Sequence, residues 1–171
     1  ADYFVAPNGN DQASGTSESR PFQTVRRAVT AASQPGDTVW FRGGVYAADS
    51  TWNNQLTFLY SGTPEAPITF RNYPGELPIL DGAALYADGA SGVEPVDPAT
   101  QPVEHIRVIG IVSRNWGTSG FSNGWPENVP NLASSNLQFI NCIADGNGVN
   151  GFSFAGASNV RIQNSIAAHN G

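Results

Sequence analysis

Two similar stretches of sequence decide the fold: residues 137–148 read LQFINCIADGNG, and residues 160–171 read VRIQNSIAAHNG. Their ends align without a gap, which matches Asn141 with Asn164 and Ile143 with Ile166. An earlier copy begins at Ile106, which aligns with Leu137. This earlier copy lies further from its successor than the two later copies lie from each other. The additional residues predict an insertion within 123–136.

A repeat of about 23 residues with strands of three to five residues is typical of a solenoid. Three short strands and three turns of this total length form one coil of a parallel β-helix. We therefore predict an all-β protein, a right-handed parallel β-helix. Asn141 and Asn164 would stack at one turn as an asparagine ladder, each side-chain amide bonding to the next.

The N-terminal part of the chain predicts a cap. Apolar residues recur at helical spacing over 21–33, with a proline in the first turn, so we expect an amphipathic α-helix there that covers the first coil. We assign residues 1–60 to this cap and the first strands, and residues 61–171 to the coils. Residues 83–103 are rich in Ala, Gly, Asp and Pro and predict a long loop.

Composition excludes several classes of protein. The chain has 171 residues, a net charge of −6 and no lysine, so clustered positive charge for nucleic acid is missing. No apolar run is long enough to span a membrane, and a lone cysteine, Cys142, predicts a small buried residue and no disulfide framework. Asparagine is abundant, and most of it lies in the C-terminal part of the chain, from Asn115 onward.

Several segments of the N-terminal half carry a resemblance to a known superfamily. They are residues 3–11 (YFVAPNGND), 15–16 (GT), 21–25 (PFQTV), 35–39 (PGDTV), 42–46 (RGGVY), 62–75 (GTPEAPITFRNYPG) and 79–82 (ILDG). In order and spacing they resemble the N-terminus of right-handed parallel β-helix proteins of the pectate lyase-like superfamily. They are most similar to polysaccharide lyase family nine.

The resemblance implies a secreted, calcium-assisted lyase that acts by β-elimination on an acidic polysaccharide such as pectin. A base removes the proton next to a carboxylate, and a cation stabilises the resulting charge. The family uses a lysine base and several aspartates for calcium, and no residue here matches them. We therefore expect the catalytic coils beyond residue 171, with the chain forming the N-terminal part of a longer solenoid.

The repeats still contain side chains that suit this chemistry. Arginine can pair with a uronate carboxylate, tryptophan can stack on a sugar, histidine can act as a base and carboxylate and amide oxygens can bind calcium. The catalytic candidates are Arg114, Asp145 and His169; the substrate-binding candidates are Asn115, Trp116 and Trp125; the metal candidates are Asp145 and Asn147.

Each candidate also has a structural interpretation. Arg114 and His169 can be solvated turn residues, Asp145 a turn-forming aspartate, and Trp116 or Trp125 a packed anchor. Asp81 is interpreted as a turn residue. The acidic side chains of the long loop are interpreted as solvated; they are Asp88, Glu94, Asp97 and Glu104.

Two other functions stay open. One is a glycoside hydrolase on the same scaffold, which needs two carboxylates about 5–9 Å apart; the repeats offer only Asp145. The other is a non-catalytic β-helix that binds carbohydrate or is purely structural. For every alternative we expect a secreted monomer that binds neither nucleic acid nor membrane. The chain opens without a leader, which fits a mature secreted protein or an expressed fragment.

Overall fold

The computed structural model describes residues 1–95, 102–123 and 134–171. One helix, α1, spans Val25–Ala31, and a short 3₁₀ helix spans Ala83–Asp88. The strands, in chain order, are β1 Asp2–Val5, β2 Thr38–Phe41, β3 Gly44–Ala47, β4 Leu56–Phe58, β5 Ile68–Asn72, β6 Pro78–Asp81, β7 Val93–Pro95, β8 Glu104–Ile109, β9 Val112–Arg114, β10 Ser119–Ser122, β11 Ser135–Ile140, β12 Ile143–Asp145, β13 Asn150–Ser153, β14 Ser158–Gln163 and β15 Ile166–Ala168.

The strands form three parallel sheets, and the chain visits them in turn. Sheet A has the order β1-β2-β5-β8-β11-β14, sheet B has the order β3-β6-β9-β12-β15, and sheet C has the order β4-β7-β10-β13. Each circuit of the three sheets is one coil, which confirms the predicted parallel β-helix. The repeat offsets are also the strand registers, because Leu137 pairs with Ile106 on one side and with Val160 on the other.

The repeated Gly-Phe-Ser motif forms strands β10 and β13 of sheet C. The rings of Phe121 and Phe152 stack inside the coil with centroids 4.8 Å apart. A methyl group on Gly120 would lie 2.8 Å from Nδ2 of Asn147, so only glycine lets this strand approach the interior amide. The glycine and the phenylalanine of the motif therefore each have a packing reason, and Ser122 pairs in register with Ser153.

Three positions in each of the last coils have a left-handed backbone. Asn and Gly adopt this conformation at less cost than other residues, so the corners account for much of the asparagine excess. The positions repeat at the coil offsets: His105, Asn136 and Asn159 enter sheet A, Gly110, Asn141 and Asn164 leave it, and Asn115, Gly146 and His169 leave sheet B.

The amide ladder lies one turn away from the predicted place. Among the described residues, no hydrogen bond joins the side chains of Asn141 and Asn164, whose left-handed backbones form the corner. Instead, Nδ2 of Asn147 donates to Oδ1 of Asn170 at 2.9 Å and to the carbonyl of Ser113 at 3.2 Å. Asn147 is buried, and its Oδ1 accepts from the backbone N–H of Trp116 at 3.1 Å.

Helix α1 is shorter than the predicted span of 21–33. Phe22 forms a β-bridge with Val5, so the chain is still extended there. Thr24 is the N-cap, because its Oγ1 accepts from the N–H of Arg27, and Asp11 holds Thr24 through its own carboxylate. The helix buries its apolar face against β1 and β4, which places it at the first coil.

The segment 83–103 is not a plain loop. Leu85 in the 3₁₀ helix is buried, and Val93 pairs with Leu56 in the preceding coil and with Phe121 in the following one. The short strand β7 completes sheet C in the second coil, which local composition could not reveal. Of the predicted insertion 123–136, residues 135–136 belong to β11, and residues 124–133 lie outside the described residues. No helix within the described ranges is long and apolar enough to cross a membrane.

The buried amide of Asn147 gives a stability prediction. Asn147→Ala leaves the N–H of Trp116 and the carbonyl of Ser113 without their partner, so we expect the free energy of unfolding to fall by about 2–4 kcal/mol. Asn141→Gly is the control, because Gly110 occupies the equivalent corner; its change should stay within about 0.5 kcal/mol. Urea unfolding of both variants measures the difference, and equal losses would contradict the assignment of the ladder.

Candidate functional site

The predicted catalytic residues lie at one edge of sheet B. The last positions of its strands pair in register across the coils, with Asp81 beside Arg114, Arg114 beside Asp145 and Asp145 beside Ala168. We call Asp81, Arg114 and Asp145, together with the adjacent His169, the sheet B row. Opposite charges alternate along it, so neighbouring coils attract each other.

Asp81 is the most constrained member of the row. Its Oδ2 accepts from Nε of Arg114 at 2.8 Å, and its Oδ1 accepts from the N–H of Ala83 at 3.1 Å and from Nδ2 of Asn115 at 3.2 Å. Burial favours the neutral acid, but these three donors outweigh it and hold the pKa of Asp81 below its ordinary value. Asp81 therefore does more than form a turn, and the interpretation of Arg114 as a solvated turn residue is wrong.

His169 has a partner that the sequence did not reveal. Its Nδ1 lies 2.7 Å from Oδ1 of Asp145. Because a carboxylate only accepts, Nδ1 carries the proton, and Nε2 of a neutral imidazole is left as the basic atom. The His169 side chain is 84% exposed and that of Asp145 is 45% exposed. This pair can act as a positioned base.

Two predicted site residues are internal. Trp116 is completely buried, and its Nε1 donates to the carbonyl of Leu80 at 3.3 Å, so it cannot stack on a sugar. Asn147 belongs to the interior ladder, which leaves its oxygen unavailable to calcium. Asn115 lies in the sheet B row through its bond to Asp81, and Trp125 falls outside the described residues. Cys142 is buried as predicted, and burial raises the pKa of its thiol to about 11.

No metal centre forms within the described residues. They contain no group of three or more His, Cys, Asp or Glu side chains that could hold a metal ion. In the sheet B row, the carboxylate of Asp81 already pairs with Arg114, and the carboxylate of Asp145 already pairs with His169.

A second surface, which the sequence reasoning missed, runs along the outer face of sheet C. A cavity of about 580 Å³ crosses four coils there, and one of about 370 Å³ adjoins it beside α1. Trp52 lines both. We call this surface the sheet C groove. Its outward positions, one from each successive coil, are Thr57, Glu94, Ser122 and Ser153.

Glu94 corrects the interpretation of a solvated acidic loop. Its side chain is half-buried, and Nε2 of Gln55 donates to its Oε1 at 2.9 Å. Burial raises the pKa of Glu94 to about 7, although the bonds from Gln55 and Ser91 favour the carboxylate. The sequence contains one signal for the position of Glu94. Gly92-Val93-Glu94 occupies in the second coil the place that Gly-Phe-Ser occupies in the third and fourth coils.

A third surface, on sheet A, carries positive charge. Arg107 pairs in register with Gln138, which pairs with Arg161, and Nε of Arg107 donates to Oε1 of Gln138 at 3.2 Å. They line a cavity of about 300 Å³, and no carboxylate is among the described residues that line it. We call these three residues the sheet A patch. In a chain of net charge −6, it is a local concentration of positive charge.

Comparison with known proteins connects this fold and its surfaces to a family. The family model of the Pel9A-like right-handed β-helix region matches residues 3–122, more than half of the chain. The chain belongs to this family. The predicted superfamily is therefore confirmed, together with the β-helix.

Individual relatives agree with the family assignment. Pectate lyase PEL9 of Emericella nidulans is 39% identical over 107 residues, which are 63% of this chain and 25% of that protein. The uncharacterized protein YwoF of Bacillus subtilis is 41% identical over 82 residues, covering 48% of this chain and 16% of that one. The matched segments thus cover a quarter or less of the length of these relatives.

Solved structures show the same fold. The crystal structure of pectate lyase Pel9A superposes with a TM-score of 0.76 at 23% identity, over 96% of this chain and 38% of that one. A lacto-N-biosidase from Eubacterium ramulus superposes with a TM-score of 0.55 at 15% identity, over 97% of this chain and 41% of that one. At these identities the likeness concerns the fold alone.

The constrained carboxylate of Asp81 predicts acid sensitivity. Because its folded pKa is lowered, its contribution to stability is present above the ordinary value of 3.8 and is lost as the pH falls through the folded value. At pH 7, Asp81→Asn should lower the free energy of unfolding by about 1 kcal/mol. Below pH 3.8 this difference should shrink, as measured by urea unfolding; a constant difference would contradict the ion pair.

Glu94 predicts the opposite dependence on pH. Its raised pKa means that the folded protein holds a proton which the unfolded chain releases from pH 4.5 upward. The wild-type free energy of unfolding should therefore fall between pH 4.5 and about 7, by about 1–2 kcal/mol relative to Glu94→Gln, and then level off. Parallel pH profiles of the two proteins would show that Glu94 is an ordinary exposed carboxylate.

Proposed function

We propose that this chain is part of a secreted polysaccharide lyase that cleaves an acidic polysaccharide of the pectate type by β-elimination. The observation that carries the proposal is membership of the Pel9A-like family, with a pectate lyase among the relatives. A polymer of this size stays outside the cell, so an enzyme that acts on it must be exported.

The reaction needs few groups. A base removes the proton from the carbon next to the uronate carboxylate, and the electron pair forms a double bond to the neighbouring ring carbon. The glycosidic oxygen on that carbon leaves and takes up a proton. The requirements are a base, a positive charge near the carboxylate and a proton for the leaving oxygen.

The surfaces of this chain offer a candidate for the base and, on a different face, a place where the polymer could bind. Asp145 fixes the tautomer of His169, which leaves Nε2 exposed as a base at the edge of sheet B. The strands that carry Arg107 and Arg161 are two coils apart in sheet A, about 10 Å by strand spacing. Arginine pairs well with carboxylates, so the sheet A patch suits the binding of an anionic polymer.

We extend the proposal to calcium dependence, as the family resemblance implies. The described residues do not fit a calcium site, because the two acids of the sheet B row are already paired and no cluster of ligands forms. Any calcium that the reaction uses would have to be held by residues outside the described ranges. We therefore assign no step of the reaction to a calcium ion bound by these side chains.

The proposal is tested on the full-length protein that contains this chain, with polygalacturonate as substrate, in the presence of calcium and in the presence of a chelator. We expect an unsaturated product, seen by its ultraviolet absorbance, and a loss of it on chelation. His169→Asn suits the left-handed backbone and removes the base, so the rate should fall by about 10²-fold or more. Asn141→Gly, on the neighbouring corner, is the control and should keep wild-type activity.

Three other outcomes of this assay would each lead to a different conclusion. An unsaturated product at an undiminished rate in His169→Asn places the base elsewhere and removes His169 from the mechanism. New reducing ends without ultraviolet absorbance identify a glycoside hydrolase. The absence of both products from every acidic polysaccharide tested, with calcium present, overturns the lyase proposal.

A further inference from the structure

The N-terminal cap covers the first strand of sheets A and C, but it leaves the first strand of sheet B open. In β1, the N–H of Phe4 donates to the carbonyl of Gly15 at 2.7 Å, and the carbonyl of Phe4 accepts from the N–H of Phe22 at 2.8 Å. Helix α1 packs against β4, the first strand of sheet C. The first strand of sheet B is β3, and among the described residues its one partner strand is β6.

The unpaired backbone groups of β3 belong to Val45 and Ala47. The N–H groups of Gly44 and Ala48 donate toward β6, at 3.1 and 2.8 Å. Because successive residues of a strand direct their backbone groups to opposite sides, Val45 and Ala47 point away from β6. The carbonyl of Ala47 accepts from Nδ2 of Asn54 at 2.9 Å. Within the described ranges, the N–H groups of Val45 and Ala47 and the carbonyl of Val45 have no hydrogen-bond partner.

The chain passes this edge without pairing with it. Pro7 comes close to β3, because a methyl group on Gly44 would lie 3.1 Å from the Cγ atom of Pro7. The N–H of Gly9 then donates to the carbonyl of Ala6 at 2.9 Å, so the chain turns away within residues 6–9. In a further coil, a strand of sheet B would continue from Pro7 along β3. The turn instead leaves a cavity beside this strand.

The cavity suits one short extended chain. Its volume is about 350 Å³, and residues 45–47 line it together with Gln23 and Asn54. A strand that pairs along β3 would cover about 13 Å, or four residues at about 3.3 Å each. Because the open edge lies within a cavity and not on a flat surface, a single extended chain fits it better than the folded edge of a second copy.

The exposed side chains of the cavity indicate the chemistry of such a segment. Tyr46 is buried, whereas Val45 is 45% exposed, so a neighbouring strand would cover Val45 with β-branched or small side chains at alternate positions. Asp49 is the one charged side chain among the described residues that line the cavity. The hydroxyl and the N–H of Thr51 donate to Asp49 and lower its pKa.

Asp49 is also without a cation. Among the described residues it forms no ion pair, although its carboxylate is ionised at neutral pH. A basic side chain at one end of the added segment would complement this charge, whereas an acidic one would be repelled.

We propose that the open edge of β3 binds an extended peptide segment, which adds a strand to sheet B through Val45 and Ala47 and places a basic side chain beside Asp49. Main-chain hydrogen bonds would supply the affinity, and the charge of Asp49 would select among sequences. The inference does not rest on the lyase proposal, because it concerns a peptide, a different surface and a binding measurement.

The test uses the full-length protein that contains this chain and a fluorescein-labelled, amidated peptide of sequence TVTVR. Threonine and valine favour an extended strand, and the arginine is the partner for Asp49. We expect a saturable rise in fluorescence anisotropy, together with slower deuterium uptake at β3 when the unlabelled peptide is present. The peptide TVTVE should bind about fivefold more weakly.

Variants at two positions separate backbone pairing from charge. Val45→Pro removes an N–H that the fold itself does not use and should weaken binding of TVTVR by about tenfold or more. Val45→Thr keeps the N–H and the β-branched shape, so as the matched control it should bind like the wild type. Asp49→Asn keeps an oxygen that can accept from Thr51 and should abolish the preference for TVTVR over TVTVE. It also covers the case in which Val45→Pro fails to fold.

Four results would overturn the proposal. They are no saturable binding of TVTVR, equal binding of the two peptides by the wild type, binding that Val45→Pro leaves unchanged, and a dimer that pairs through β3 and excludes the peptide. Polygalacturonate cleavage, measured separately, tests the lyase proposal, and its failure would not alter these results.

Discussion

Every feature of this protein depends on the parallel, in-register pairing of each strand with the same strand of the next coil. Because Leu137 pairs with both Ile106 and Val160, each side chain lies directly above and below its equivalents. A residue type is therefore selected by what it does when stacked. The rings of Phe121 and Phe152 stack favourably, and the amides of Asn147 and Asn170 bond to each other.

Stacking also limits where charge can lie. Like charges directly opposite on neighbouring strands repel each other. In the sheet B row the charges alternate from Asp81 to Arg114 to Asp145, and in the sheet A patch Gln138 separates the two arginines. Glu94 shares its row with hydroxyl side chains, and burial raises its pKa because no charged neighbour among the described residues compensates it.

The same constraint separates the surfaces on which function depends. Sheet A presents arginines, the edge of sheet B presents a histidine held by a carboxylate, and the groove of sheet C is lined by Glu94 and an exposed tryptophan. A solenoid can carry different chemistry on each face because the faces share only the core.

The sequence by itself determined the coil, because the offsets between the repeats are the strand registers and the asparagines of the repeat mark left-handed corners. It also determined the family, through the N-terminal segments. Only the tertiary structure decided which asparagines bond, that Trp116 is internal, and that Glu94 faces a groove. The reason is that a repeat fixes which residues stack, whereas burial and charge pairing depend on how three sheets close around the core. The strand β7 and the pairs Asp81–Arg114 and Asp145–His169 join residues whose relation no local pattern expresses.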